Sequence, residues 1–166
     1  MMTRPMVAML MGSDSDWPTF EQAAQALKGF GVAYDVRVLS AHRTPSQLLR
    51  YVADASRRGV KVFIAGAGGA AHLAGAVAAH TILPVIGVPI ETKVAGGLDS
   101  LLSTVQMPRG VPVATVAVGN GFNAALLAVQ ILAIYEKPLQ RKLAAYKHGL
   151  AAKALKADRL LQTKRP

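Results

Sequence analysis

The chain has 166 residues, a net charge of +10, 52% apolar and 17% charged residues, and no cysteine. That length suits one domain with a real core, and that composition excludes a disordered chain. The lack of cysteine excludes disulfides, thiolate metal sites and thiol catalysis, and no apolar run reaches the ~18–20 residues that span a bilayer.

Met6–Met11 is the first apolar run. It reads as a strand rather than as part of a signal peptide, because no small-residue cleavage site follows it. A helical pattern covers Trp17–Phe30 and stops at Gly29 and Gly31, and a second strand covers Asp35–Leu39. Pro45–Arg58 is the second helix, closed by Gly59, and Val62–Ala65 is the third strand. Helix Ala71–His80, strand Val85–Val88, helix Gly97–Met107, strand Val113–Val118 and helix Asn123–Glu136 continue the alternation. Unbroken apolar, β-branched runs suit strands buried on both faces of a parallel sheet. Five of them alternating with helices on short links predict one doubly wound α/β domain over residues 1–137, with strand order 2-1-3-4-5.

A sixth helix, about Pro138–Gln162, has no strand after it. Its Leu139, Leu143, Tyr146 and Leu150 form one stripe. Residues 138–166 are therefore expected to be a basic helix and tail lying across the domain or a neighbouring subunit. Residues 136–166 carry nine Lys/Arg, Lys164 and Arg165 among them, against Glu136 and Asp158; this net +7 leaves +3 for residues 1–135. A basic arm can bind nucleic acid. No aromatic residues interleave these charges as a stacking platform requires, so a solvated helix face is expected and no nucleic-acid partner.

Each strand runs at its carboxyl end into a Gly-rich or polar loop, which is where open parallel sheets bind ligands. With order 2-1-3, the first three loops are neighbours. Gly12-Ser13-Asp14-Ser15-Asp16 offers two hydroxyls and the free N–H groups of a helix N-terminus, which favour an anion. Asp16 either accepts from sugar hydroxyls or caps the helix before Trp17-Pro18. In Ser40-Ala41-His42-Arg43-Thr44-Pro45, Arg43 can clamp a phosphate or carboxylate. His42 is the best proton-transfer candidate, since an imidazole titrates near neutrality; the bland alternative is a turn histidine, with Thr44 as a helix N-cap. Ala65-Gly66-Ala67-Gly68-Gly69-Ala70-Ala71-His72 lets a ligand approach the backbone closely. Its letters also match a dinucleotide fingerprint, but that motif normally opens a fold rather than following a third strand. His72, His80 and His148 show no metal-ligand spacing, and His80 is expected on a helix surface. No P-loop and no G-x-S-x-G elbow occurs.

Taken together, MGSDSDW, SAHRTP, AGAGGAAHLAG, LPVIGVP and DSLLSTVQMPRGVPVATVAVGNG resemble the PurE family over about residues 6–136. Those enzymes place a carboxyl group on aminoimidazole ribonucleotide in purine synthesis. The resemblance implies a flavodoxin-like three-layer sandwich, a homo-octamer, and no metal, biotin or nucleotide cofactor; a cytoplasmic location is expected. The SAHR form, with Arg43, looks like the bacterial and plant branch, which isomerises N5-carboxyaminoimidazole ribonucleotide to the C4-carboxylated isomer. The branch that fixes CO2 directly typically has Lys there. By this resemblance His42 matches the catalytic histidine, and Ser13, Asp16 and Arg43 match substrate-binding positions. Ser15, Ser40, Gly68, Ala70 and Leu73 fall on loops that line the family's site. The tail beyond about 140 and the segment 91–97 depart from the family pattern. The rival readings are a direct carboxylase, a dinucleotide-dependent oxidoreductase, and a nucleotide-binding regulator with a basic arm.

Overall fold

The computed structural model describes residues 4–163; Lys164 and Arg165 of the basic tail lie outside the described residues. Among these, β1 (Val7–Met11), β2 (Tyr34–Val38), β3 (Val62–Ala67), β4 (Val85–Pro89) and β5 (Ala114–Thr115) form one parallel sheet in the order β2-β1-β3-β4-β5. The helices are α1 (Trp17–Phe30), α2 (Pro45–Arg58), α3 (Leu73–Ala78), α4 (Leu98–Val105), α5 (Gly121–Ala133) and α6 (Lys137–Gln162). The expected strand order is the observed one.

Successive side chains of a strand face opposite sides of its sheet. Val7, Met9 and Met11 of β1 enter one core with Phe20 and Leu27 of α1 and Ala128 and Leu132 of α5. Ala8 and Leu10 enter the other with Leu48 and Val52 of α2 and Leu73 and Val77 of α3. Burial on both faces is why the central strands read as unbroken apolar runs, and each large side chain so buried contributes about 1.5–3 kcal/mol. Thr104 of α4 and Ala74 of α3 both approach Gly87 of β4, which sets α4 beside α3 on the second face.

Three elements differ most from their expected extents. The fifth strand keeps only Ala114–Thr115 of the expected 113–118. It is an edge with one neighbour; Val116 N–H still donates to Gly87 O and Gly119 N–H to Pro89 O, without a regular ladder. The third helix starts at Leu73 rather than Ala71, because Ala71 N–H and His72 N–H bond back to Gly69 O and Ala70 O in tight turns. It ends at Ala78, so His80 is exposed in the following turn, its Nδ1 2.8 Å from Ala76 O. The fifth helix starts two residues early, at Gly121, where the Asn120 side chain caps Asn123 N–H at 2.9 Å.

α6 divides in two. Leu139 is buried, and Leu143 and Tyr146 pack on the α1–α5 core. The Tyr146 ring meets Phe30 edge-on at 5.7 Å. Lys142 Nζ donates to Phe30 O at 2.6 Å, placing a cation on the carboxyl end of α1. From Lys147 to Thr163 every residue is exposed.

Candidate functional site

β1 hydrogen-bonds to both β2 and β3, so their three outgoing loops rise side by side. Leu39 N–H donates to Met11 O at 2.9 Å and Gly12 N–H to Gly66 O at 3.2 Å, which carries the strand register into the loops. Between them lies a cleft of about 380 Å³. The first loop contributes Ser13, Ser15 and Asp16, the second Ser40, His42 and Arg43, and the third Gly68, Ala70 and Leu73. The structure thus brings together all nine residues singled out in the sequence. It adds His72, which sequence reasoning set aside for want of metal-ligand spacing.

The first loop is a 3-10 turn, Asp14–Asp16, leading directly into α1. Ser13 caps it, and the Asp16 carboxylate reaches back to accept Ser13 N–H at 3.1 Å. Asp16 makes no cap bond to α1 itself; with Ser13 it completes the capping box of the turn that leads into that helix, so the capping role is real and leaves one carboxylate oxygen over. The residue is only 8% exposed, and burial pushes its carboxyl above the usual aspartate range against the pull of the Ser13 and Gly12 amides. Ser15 hydroxyl donates to Ser13 Oγ at 2.9 Å. The loop therefore presents hydroxyls, turn N–H groups and one part-desolvated carboxyl to the same space.

In the second loop, Ser40 Oγ accepts the N–H of His42 at 3.3 Å and of Arg43 at 3.1 Å. Thr44 makes no helix cap; its hydroxyl closes the turn on Ser40 N–H and Ser40 O, at 2.9 and 3.1 Å. This tight turn lifts His42 and Arg43 into the cleft. Arg43 donates one guanidinium N–H to Gly12 O at 2.7 Å, tying the second loop to the first while leaving further donors for an anion.

The third loop delivers His72. Its Nδ1 stands 2.8 Å from His42 Nε2, with the rings 85° apart. One ring donates and the other accepts, according to tautomer. The dinucleotide fingerprint is a match of letters only. Gly66 sits inside β3, where a Cβ would press on Val88 O at 2.8 Å and the Phe20 ring at 2.9 Å, so its glycine serves packing. Among the described residues no group of three or more His, Cys, Asp or Glu is placed to hold a metal ion, and no helix is long and apolar enough to cross a membrane.

Sheet order, helix layers and a polar cleft at the strand-order switch define a flavodoxin-like α/β domain with that cleft at its carboxyl edge, where open parallel sheets bind ligands. The AIR carboxylase family model matches residues 6–153, and the chain belongs to that family. It is 54% identical over 159 residues to the N5-carboxyaminoimidazole ribonucleotide mutase of Thermotoga maritima, covering 95% of this chain and 93% of that one. It is 56% identical over 142 residues to the phosphoribosylaminoimidazole carboxylase of Saccharomyces cerevisiae, covering 86% of this chain but 25% of that longer protein. Among solved structures, Treponema denticola PurE superposes with a TM-score of 0.89 at 33% identity, covering 98% of this chain and 100% of that one.

Proposed function

We propose that the cleft isomerises N5-carboxyaminoimidazole ribonucleotide to 4-carboxy-5-aminoimidazole ribonucleotide in purine synthesis. The observation that carries this reading is the placing of His42, with a second imidazole 2.8 Å away, in one cleft with the anion-binding loops. The mutase name of relatives at 54% identity supports the choice of substrate. Arg43, Ser13, Ser15, Ser40 and the turn N–H groups hold the anionic ends, and Asp16 accepts from the ribose hydroxyls. Gly68, Ala70 and Leu73 wall the space beside the carbamate.

His42 acts twice. Protonated, it gives its proton to N5; the N–C bond breaks, its electrons return to nitrogen, and CO2 is released into the walled space. C4 then attacks CO2, and neutral His42 takes the C4 proton as the ring electrons are restored. Protons balance, and no metal, biotin or nucleotide cofactor enters. Excluding water holds CO2 against C4. Arg43 supports placement in the bacterial and plant branch. A homo-octamer, with residues 138–166 packing on the domain or a neighbouring subunit, and a cytoplasmic location belong to the same proposal.

The name of the yeast relative favours a second reading, direct carboxylation of aminoimidazole ribonucleotide. One assay separates the two. Purified protein should isomerise the N-carboxylated nucleotide without bicarbonate; turnover of the uncarboxylated nucleotide only with bicarbonate would replace the first reading by the second.

A further inference from the structure

An amphipathic surface helix ordinarily turns its apolar side inward. α4 carries the Asp99-Ser100-Leu101-Leu102-Ser103-Thr104 run and does the reverse. Ser100 and Thr104 are buried, while Leu98, Leu102 and Val105 are exposed. Buried hydroxyls are costly unless partnered, so their partners show what this side of the helix is for.

Ser100 Oγ accepts the N–H of Gly69 at 2.9 Å. Ser103 Oγ has one proton and two acceptors, Asp99 O at 2.7 Å and Gly69 O at 3.1 Å; the shorter bond dominates, leaving Ser100 as the firmer hold. Behind Ser100 stands Asp99. Its Oδ1 accepts the Thr92 hydroxyl at 2.6 Å and Ser100 N–H at 2.8 Å, with the Ser100 hydroxyl at 3.5 Å. The Thr92 hydrogen bond holds the Asp99 carboxyl below its usual range. A charged acceptor strengthens and polarises such a chain.

Gly69 has φ +68, a conformation glycine adopts cheaply. Its neighbours Gly68 and Ala70 line the cleft, and His72 follows on the same loop. Thr92, Asp99, Ser100 and Ser103 do not line it. We infer that Ser100, backed by Asp99, is a positioning residue: it pins the Gly69 amide so that the loop presents His72 to His42. The kinetic consequence rests on the proposed isomerase reading; the structural one does not.

The test compares two variants of the full chain. Ser100→Ala removes the acceptor and leaves a half-buried N–H without it. Turnover should fall about tenfold while KM stays within about twofold, because the anionic groups are held by the other two loops. Amide exchange, read by mass spectrometry on a peptide spanning residues 66–72, should quicken about tenfold. Thr104→Val is the control. It removes a buried hydroxyl from the same helix, one bonded to Ser100 O at 2.8 Å and not to Gly69, and both readouts should stay within about twofold of wild type. The inference is overturned if the Ser100→Ala peptide exchanges at the wild-type rate, if exchange quickens with no loss of turnover, or if Thr104→Val does the same damage. A wild-type chain without isomerase activity removes the functional proposal alone, and the exchange comparison still decides the clamp.

Discussion

His42 Nε2 and His72 Nδ1 face each other across 2.8 Å. Only one N–H fits on that line, so one ring donates and the other accepts. Under the proposed mechanism His42 carries the proton, and His72 steadies the tautomer that can give it and take it back. His42→Asn should keep nucleotide binding by calorimetry but lose about 10²-fold or more in turnover. His72→Asn should lose less, about tenfold, with the apparent KM little changed. Near-normal turnover of His42→Asn would remove that residue from the chemistry.

Asp16 predicts a pH effect on stability. Its carboxyl is held above the usual range by burial, so ionising it costs stability in the folded chain. Below the ordinary value both folded and unfolded forms are protonated, and no cost arises. The cost grows as pH rises from the ordinary value and is complete once pH has passed the raised folded value. Asp16→Asn, whose amide oxygen can still accept Ser13 N–H, should melt higher than wild type at pH 7. The gain should shrink as pH falls toward about 4 and be gone below it. A gain that grows on acidification would contradict the burial argument.

The ribose role of Asp16 has its own measurement. Asp16→Leu removes both oxygens from the cleft, and the apparent KM for nucleotide should rise about tenfold or more. An unchanged KM would leave the carboxylate as a brace for the Ser13 turn alone.

The fold was legible because the central strands are buried on both faces and each ends in a polar loop. β5 was not, since a Val-Ala-Thr-Val-Ala-Val run reads as a long strand whether or not a neighbour exists to ladder it. α3 was overextended at its start because Ala71 favours helix, while the turns after the left-handed Gly69 use the Ala71 and His72 amides otherwise. Ser13, Ser15, Asp16, His42 and Arg43 followed from strand order and loop chemistry, and Ser40, Gly68, Ala70 and Leu73 from the resemblance to the PurE family. His72 did not, because its spacing from the other histidines fits no metal site and no other role offers itself locally. Order 2-1-3 held the missing signal: it sets the loops after β2 and β3 on either side of β1, each with one histidine. The grip of Ser100 on Gly69 joins residues 31 apart and leaves no local pattern.

Gly121 and Gly75 should respond oppositely to alanine. At Gly121, the first residue of α5, a Cβ would collide with the backbone oxygen of Thr19 in α1. Backbone cannot yield, so Gly121→Ala should cost about 1–3 kcal/mol or more and separate α1 from α5. At Gly75, inside α3, the nearest atoms are the flexible end of Met107, at 3.1 and 3.2 Å. Helix propensity there favours alanine by about 1 kcal/mol, so Gly75→Ala should be neutral or stabilising. Thermal melts of both variants check the pair; equal destabilisation would mean that the α1–α5 approach is not what requires glycine.

The apolar stripe of α6 outruns the domain it packs on. Leu139, Leu143 and Tyr146 rest on the α1–α5 core, and the same stripe continues through Leu150, Ala154, Ala157 and Leu161. Leu150 is 51% and Leu161 58% exposed. Beside the packed half lies an apolar groove lined by Phe30, Phe122 and Tyr146. Exposed apolar surface of this kind beside an apolar groove suits burial against a second copy of the chain. The wild-type chain should therefore sediment as an oligomer. Leu150→Glu combined with Leu161→Glu should shift it to smaller species while leaving the far-ultraviolet helix signal intact, because the substituted residues lie beyond the domain core. An unchanged sedimentation coefficient in that double variant would show the distal stripe facing water in solution, and the assembly surface would have to be sought elsewhere on the domain.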